Sequence, residues 1–159
     1  MIEGKTASLF AAACEVGPVI AGQDAQIVQA MRDYGMSLGM AFQVIDDVLD
    51  YSASQEKLGK AVGDDFKEGK MTAPVLFALE KANAEEREFW QRTLGDKNQT
   101  PDDLTKAKEL ITQHDGLSKG MALARGYGDK AIQNLSNLPD SMLKQTLIDL
   151  VDFTLNREY

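Results

Sequence analysis

The sequence has one cysteine, no long apolar run and no segment typical of a secretory signal. Its single cysteine, Cys14, excludes an internal disulfide, and the apolar stretch AAACEV favours a small buried thiol. Apolar runs are interrupted by Gly, Gln or Asp well before the roughly 18 residues that a membrane-spanning helix needs. No basic segment followed by an apolar one opens the chain, as it would in a secretory signal. These features predict a cytoplasmic protein without an integral membrane segment.

Basic residues are also in deficit. The 17 Lys and Arg are outnumbered by 25 Asp and Glu, which gives a formal net charge of -8. Because a phosphate backbone is bound by a basic face, this composition argues against a nucleic-acid partner. It does not argue against a phosphorylated small molecule held through a divalent cation, since such cations prefer carboxylate ligands.

Several common catalytic patterns are missing. The sequence contains no Ser/His/Asp set with a recognisable elbow, no Gly-rich loop of the Walker kind and no Cys/His metal spacing. The single histidine, His114, lies beside Asp115 at a predicted helix end. We expect it to be a surface residue that faces the helix dipole.

Apolar residues recur at spacings of three and four almost throughout the chain, and no segment is typical of a strand. This period predicts an all-α bundle of seven or eight helices with no sheet. The predicted helices span about 2–13, 24–50, 72–81, 85–94, 101–113, 117–135 and 139–157. Residues 51–70 lose the period and are predicted to be a long loop, which in compact domains is typical of lids and binding loops.

Local signals refine some of these helices. Gly17-Pro18 predicts a break or kink, Asp24 is a plausible N-cap, and Thr100-Pro101 followed by acidic residues predicts a helix start. In the last helix the predicted inward face consists of Leu143, Leu147, Leu150 and Phe153. Apolar periodicity begins almost at Met1 without a capping residue, which is typical of a chain cut from a longer one.

Three aspartates close the long second helix. Asp46, Asp47 and Asp50 lie within little more than one helical turn, and Gln43 precedes them by one turn. Like charges at this spacing repel by a few tenths of a kcal/mol per pair, and the helix dipole also disfavours anions at a C-terminus. A divalent cation such as Mg²⁺ offsets both costs. The alternative for such a pattern by itself is a solvated acidic face.

Two glycines, Gly35 and Gly39, continue the polar stripe of the same helix backward at spacings of four. Glycine inside a helix costs about 1 kcal/mol relative to alanine, so each should serve a purpose. They indicate that another structure approaches the backbone closely. The sequence leaves open whether this is a second helix or a ligand chain.

Lysines surround the acidic cluster in the sequence. Lys60 and Lys70 each follow a glycine and bracket an acidic pair, Asp64-Asp65. Lys5 is followed by Thr6, so an ammonium and a hydroxyl are presented together on an apolar segment. Lysine is a flexible point charge that suits a phosphate oxygen, and these positions are candidates for a phosphate clamp. The alternatives are a solvated loop and an outward-facing lysine.

Taken together, these motifs resemble a known family. GMAFQVIDDVLDY followed by LGKAVGDDFKEGKMTAPVLFAL resembles the second aspartate-rich region of trans-prenyl diphosphate synthases, and KTASLFAAACEVG resembles their Lys-Thr helix. The resemblance extends over essentially the whole chain, and the joint motif is highly specific. It implies that residues 1–159 are the C-terminal portion of a single polyprenyl synthetase domain with the all-α isoprenoid synthase fold. Two stretches, LFAAACEVGPVIAG and GDDFKEGK, are similar to long-chain octaprenyl to decaprenyl synthases, and a geranylgeranyl or farnesyl diphosphate synthase is the alternative.

The resemblance also implies roles for individual residues. The implied metal ligands, which hold Mg²⁺ against an allylic diphosphate, are Asp46, Asp47 and Asp50. The implied substrate-binding residues are Lys5, Thr6, Phe42, Gln43, Lys60 and Lys70. Four of these, namely Lys5, Thr6, Gln43 and Lys60, are also implied to be catalytic. The family elongates an allylic prenyl diphosphate with isopentenyl diphosphate, and its members commonly form homodimers.

One part of the family pattern is missing. A first aspartate-rich motif followed by arginines does not occur, because Asp64-Asp65 and Asp102-Asp103 lack its spacing. We therefore expect the isopentenyl site to lie largely outside this chain, and the chain to be inactive alone. The alternative reading is a non-catalytic helical partner or regulatory subunit of a prenyl synthase. A cyclase-like enzyme would fit the fold but not the lysine-containing segment.

Overall fold

A computed structural model describes residues 6–52 and 63–157. Within these residues all regular secondary structure is helical and no strand occurs, which confirms the predicted all-α class. The α-helices are α1 Ser8–Ile20, α2 Ala25–Ser52, α3 Asp64–Lys67, α4 Ala73–Lys81, α5 Ala84–Trp90, α6 Asp103–Gln113, α7 Gly116–Asn134 and α8 Met142–Leu155. A π-helical turn, Gln91–Gly95, follows α5. None of the described helices combines the length and the apolar character needed to cross a membrane.

The chain divides into two compact units. Unit 1 consists of residues 1–43 and 123–158, and unit 2 contains residues 44–122. The helices α2 and α7 each contribute residues to both units. The acidic end of α2 belongs to unit 2, together with α3 to α6.

Unit 1 is held together by close packing of α1 on α2. A Cβ atom added at Gly35 would lie 2.8 Å from the carbonyl carbon of Phe10, and one added at Gly39 would lie 2.7 Å from the Cα of Ala7. Such distances are too short for any side chain larger than hydrogen, so both glycines permit the two backbones to approach. Of the two partners that the sequence left open, the one present in the structure is therefore a helix. The core of unit 1 is formed by Tyr34, Leu38, Ala131, Leu135 and Val151.

Two predictions about the helices of unit 1 are wrong. Helix α1 continues through Pro18 to Ile20 instead of breaking at Gly17-Pro18. Proline lacks the N–H that would bond to the carbonyl four residues earlier, so its effect falls on the one turn that precedes it, here close to the end of the helix. The predicted inward face of α8 is also wrong, since Leu143, Leu150 and Phe153 are exposed and only Leu147 packs against the core.

Unit 2 has a larger aromatic core. Its buried cluster consists of Tyr51, Phe66, Val75, Ala78, Ala82, Trp90, Leu94, Ala107, Leu110 and Ile111. Helix α3 lies inside the segment that was predicted to be a loop, and its one inward side chain, Phe66, enters this cluster. A single helical turn is too short to produce a detectable hydrophobic period, so the sequence pattern did not reveal it.

The helix starts follow the sequence signals in part. Asp24 is the expected cap, because its Oδ1 accepts the amide N–H of Ile27 at 2.9 Å. Helix α6 begins at Asp103 rather than directly after Thr100. The Asp103 carboxylate accepts the Thr100 N–H at 2.6 Å and pairs with Arg92 at 2.7 Å, so the preceding residues form a turn.

His114 is not the surface residue that was expected. It does end α6, but its side chain is only 14% exposed and its Nε2 lies 2.9 Å from Oε2 of Glu86. Glu86 in turn completes a capping box with Asn83 at the start of α5. The histidine therefore joins the end of one helix to the start of another within unit 2.

Candidate metal and diphosphate site

The candidate site begins with the last two turns of α2, in unit 2. Val44, Ile45 and Val48 turn inward and are almost fully buried there. The aspartates share the helix with this apolar stripe: Asp46 and Asp50 are half-buried, whereas Asp47 is only 6% exposed. The predicted placement of all three carboxylates on one helix is confirmed.

Asp47 is a buried carboxylate surrounded by other carboxylates. Its Oδ2 accepts the N–H of Ala73, the first residue of α4, at 3.3 Å. Burial raises the pKa of Asp47 to about 6, the hydrogen bond from Ala73 opposes this, and the charges of Asp65, Asp46 and Asp50 raise it further. An ionised Asp47 is therefore a group that a nearby cation would stabilise.

Both carboxylate oxygens of Asp50 accept hydrogen bonds from the backbone of α3. Oδ1 accepts the N–H of Asp64 at 3.2 Å and Oδ2 accepts that of Asp65 at 3.1 Å. The carbonyl of Asp50 also accepts the N–H of Gly63 at 3.0 Å. Desolvation raises the pKa of Asp50, and the two amide hydrogen bonds oppose that rise.

Gly63 permits this junction between α2 and α3. Its φ of +80° lies in the left-handed region, which favours glycine. A Cβ atom at this position would also lie 2.7 Å from a methyl group of Leu104. The backbone conformation therefore favours glycine strongly, and any larger residue would also have to displace the methyl groups of Leu104.

Lys70 lies beside the acidic residues of α3. Its Nζ is 2.8 Å from Oδ1 of Asp65 and 2.8 Å from Oε2 of Glu68. These two hydrogen bonds, Asp65 first, raise the pKa of Lys70 above its ordinary value. The lysine that was predicted to bind a diphosphate is thus charged, partly exposed and held in the same unit as the three aspartates.

None of the other predicted residues lies in the described part of unit 2. Lys5 and Lys60 lie outside the described residues, so their predicted roles stay predictions. Thr6, Phe42 and Gln43 belong to unit 1, and all three are half-buried. The ring of Phe42 lies 5.6 Å from that of Phe10, and the Arg157 guanidinium carbon lies 4.2 Å from the Phe42 ring centroid.

The sequence did not single out two residues that contact predicted site residues: Arg157, at Phe42 in unit 1, and Asp65, at Lys70 in unit 2. Asp65 was noted only as part of an acidic pair, yet it accepts a hydrogen bond from Lys70 and donates one to Asp50. The signal for Asp65 was present in the GDDFKEGK stretch. No sequence signal pointed to a contact between Arg157 and Phe42, which lie far apart along the chain.

The donor set fits a magnesium ion only in part. In the portion of the chain that the structure describes, no three His, Cys, Asp or Glu side chains form a group that could hold a metal by themselves. Mg²⁺ commonly takes one or two carboxylates and fills its remaining positions with water and substrate phosphates. Asp46 and buried Asp47 suit that smaller role, since both are carboxylates at one helix end.

The chain is similar to known proteins in both sequence and fold. A family model described as polyprenyl synthetase matches residues 1–111. Octaprenyl diphosphate synthase of Haemophilus influenzae is 38% identical over 161 residues, which cover 100% of this chain and 48% of that protein.

Two solved structures are also similar. A polyprenyl synthase from Caulobacter crescentus CB15, complexed with calcium and isoprenyl diphosphate, has 46% identity and a TM-score of 0.91, covering 98% of this chain and 48% of that one. A decaprenyl diphosphate synthase from Rhodobacter capsulatus has 45% identity and a TM-score of 0.91, covering 99% and 49%.

The described helices and the aspartates at the end of α2 define an all-α protein with an acidic, partly buried helix end. The chain belongs to the polyprenyl synthetase family, a family of trans-prenyltransferases, which confirms the resemblance found in the sequence. It spans about half the length of the relatives described above.

Proposed function

We propose that this chain provides the part of a prenyltransferase that binds Mg²⁺ and an allylic prenyl diphosphate. The full protein would elongate that substrate with isopentenyl diphosphate, in isoprenoid or quinone side-chain biosynthesis. The observation that carries the proposal is Asp47, a carboxylate that is 6% exposed and has further carboxylates around it. Leaving such a charge buried without a counter-charge is costly, and a bound cation relieves that cost.

Asp46 and Asp47 are the first candidates to hold the cation, with Asp50 as the third predicted ligand. A bound Mg²⁺ would stabilise the negative charge of the departing diphosphate as a Lewis acid. The similar Caulobacter enzyme, which was crystallised with calcium and isoprenyl diphosphate, supports both the hard cation and the diphosphate ligand.

The remaining residues would act on the substrate directly. Lys70, with Lys5 and Lys60, would contact the diphosphate and stabilise it as the C–O bond breaks. The oxygens of Thr6 and Gln43 would face the positive charge that develops on the allylic carbon, and Phe42 would border it. The double bond of isopentenyl diphosphate then forms the new C–C bond, and a proton is lost to the released diphosphate.

We expect the isopentenyl diphosphate site to lie largely outside this chain, so that the chain alone binds the allylic diphosphate but does not elongate it. We expect a homodimer in the full-length protein, and we expect it to act in the cytoplasm.

Calorimetry tests the proposal directly. Geranyl or farnesyl diphosphate is titrated into the chain with Mg²⁺ and, separately, with EDTA. We expect binding only with Mg²⁺, and a loss of that binding in Asp46→Asn. Asp129→Asn is the matched control, because Asp129 is exposed on α7 and its substitution removes the same charge.

A second candidate is a non-catalytic helical partner of a prenyl synthase. The exposed apolar side chains of α8, such as Met142, Leu143 and Phe153, favour it, because exposed apolar patches often mark protein interfaces. A folded chain that shows no magnesium-dependent diphosphate binding would support this candidate over the first.

A further inference from the structure

Three successive backbone amides of unit 2 donate to one residue. The N–H groups of Gly63, Asp64 and Asp65 bond to the carbonyl and the two carboxylate oxygens of Asp50, at 3.0, 3.2 and 3.1 Å. Asp50 therefore caps α3 from a different helix. Asp47, in contrast, accepts the N–H of Ala73 at the start of α4, at 3.3 Å.

A four-residue helix needs such a cap. The first amides of any helix have no partner within it, and a single turn is unfavourable to form by itself. Besides Asp50, α3 is held by the buried ring of Phe66 and by the Gln99 side chain, whose Nε2 donates to the Phe66 carbonyl at 2.7 Å. Asp50 is thus the contact that fixes the N-terminal side of α3.

Helix α3 in turn determines where Lys70 lies. The Lys70 N–H donates to the Asp65 carbonyl at 2.9 Å, and the Lys70 ammonium donates to the Asp65 carboxylate at 2.8 Å. Asp65 also donates its own N–H to Asp50 at 3.1 Å. A continuous set of hydrogen bonds therefore runs from Asp50 through Asp65 to Lys70.

We propose that Asp50 is a positioning residue that fixes α3 and, through Asp65, the ammonium of Lys70, and that it is not a ligand of the cation. The inference rests on the proposed function and gives the residues of the site separate roles. Asp46 and Asp47 remain the cation ligands, and Lys70 contacts the diphosphate. The three aspartates of one motif then have two different tasks.

The first experiment needs no ligand. Amide hydrogen exchange at Asp64 and Asp65 is measured by NMR, without Mg²⁺, in the wild-type chain, in Asp50→Ala and in Asp50→Asn. Hydrogen bonds to a charged acceptor are among the stronger ones, so we expect exchange to rise by about tenfold to a hundredfold in Asp50→Ala. Asp50→Asn keeps one acceptor oxygen and should show a smaller rise.

Asp129→Asn should leave exchange at both amides unchanged. Unchanged exchange in both Asp50 variants would overturn the proposal. Should Asp50→Ala fail to fold by circular dichroism, Asp50→Asn supplies the same measurement.

The second experiment separates positioning from metal binding. Calorimetry with Mg²⁺ and farnesyl diphosphate compares Asp50→Ala, Lys70→Ala and the double variant in the full 159-residue chain. We expect Asp50→Ala to weaken diphosphate binding, and the double variant to bind no more weakly than Lys70→Ala, because the two residues act in one pathway. The magnesium concentration at half-saturation, measured with each variant at saturating farnesyl diphosphate, should stay unchanged in Asp50→Ala.

A rise in that magnesium concentration equal to the rise in Asp46→Asn would overturn the proposal. So would a double variant whose loss of diphosphate affinity is the product of the losses in the two single variants. Failure of the wild-type chain to bind diphosphate would contradict the proposed function instead. The exchange measurement would then still decide whether Asp50 holds α3.

Discussion

The two units differ in where their apolar and polar side chains lie. Of the eleven exposed large hydrophobic residues in the described part of the chain, only Met71 and Leu76 belong to unit 2. The other nine are in unit 1: Leu9, Val16, Val19, Ile20, Leu123, Met142, Leu143, Leu150 and Phe153. Unit 2 buries its large apolar side chains internally, whereas unit 1 presents apolar surface suited to packing against further protein.

Buried polar groups show the opposite distribution. Five of the six buried polar or charged side chains among the described residues belong to unit 2: Asp47, Thr72, Glu86, Thr93 and Asp103. The sixth, Thr154, belongs to unit 1. Burying such groups is costly unless hydrogen bonds compensate, and proteins tolerate that cost most often at functional sites. The two units therefore differ in kind: unit 2 holds most of the buried polar side chains, and unit 1 holds most of the exposed apolar ones.

The largest expected change in stability comes from making the same substitution, Leu to Ala, in each unit. Leu110 of unit 2 is 1% exposed and Leu143 of unit 1 is 78% exposed. Leu110→Ala should lower the free energy of unfolding by about 2–5 kcal/mol, because it leaves a cavity in a packed core. Leu143→Ala should change it by less than about 0.5 kcal/mol. Urea unfolding followed by circular dichroism measures both, and equal losses would contradict the comparison.

Asp47 provides the next largest effect. The unfolded carboxyl has its ordinary pKa near 3.9, whereas burial raises the folded value to about 6. The folded state therefore binds the proton more tightly, and the free energy of unfolding falls as pH rises from about 4 to about 6. Asp47→Asn removes the buried charge and keeps an oxygen that can accept from Ala73.

In EDTA at pH 7, Asp47→Asn should therefore be more stable than the wild type by about 1–3 kcal/mol, since one pKa unit corresponds to about 1.4 kcal/mol. Its stability should also depend less on pH between 4 and 6. Denaturant titrations across that range measure both effects. A variant that is less stable at pH 7, with the wild-type pH slope, would show that Asp47 is not a destabilising buried charge.

Substituting alanine at two glycines of unit 1 should give smaller changes in stability, of opposite sign to each other. Gly35→Ala would gain about 1 kcal/mol in helix propensity but would force a methyl group against the backbone of Phe10, at a cost of about 1–3 kcal/mol. Gly126, in α7, has nothing within 4 Å of an added Cβ atom. Gly126→Ala should therefore stabilise by about 0.5–1 kcal/mol. Thermal unfolding of the two variants checks the difference, and a stabilised Gly35→Ala would argue against close packing of α1 on α2.

The smallest effect on stability is expected at the apolar surface of α8. Phe153 is 69% exposed, so Phe153→Ser should change the free energy of unfolding by less than about 0.5 kcal/mol. It should nevertheless reduce self-association at high protein concentration, which sedimentation velocity measures. Undiminished association would mean that this face does not mediate contacts between chains.

The sequence was sufficient for the features that depend on local signals. The helical period predicted the all-α class and the placement of Asp46, Asp47 and Asp50 on one helix, and the residue type of Asp24 at a helix start predicted its cap. It could not determine which side of α8 faces inward, because the helix carries two adjoining apolar rows, one with Leu143, Leu150 and Phe153 and the other with Leu147, Val151 and Leu155.

Features that depend on distant contacts were missed or left open. His114 meets Glu86 from 28 positions away, and Asp50 meets Asp64 from 14 positions away. Residues so far apart along the chain are not neighbours within one helix or strand, so local patterns do not reveal these contacts. Gly35 and Gly39 signalled a close approach correctly, but only the folded chain identifies α1 as the partner.

The pair formed by Glu86 and His114 restricts the chemistry of the imidazole ring. Hydrogen bonds from Asn83, His114 and Gln113 hold the pKa of Glu86 below its ordinary value, the bond from Asn83 contributing most. An ionised carboxylate only accepts hydrogen bonds, so the Nε2 of His114, 2.9 Å away, has to carry a proton. The neutral ring is then the Nε2–H tautomer, with Nδ1 as its unprotonated nitrogen, and the ¹⁵N shifts of this single imidazole would report that state.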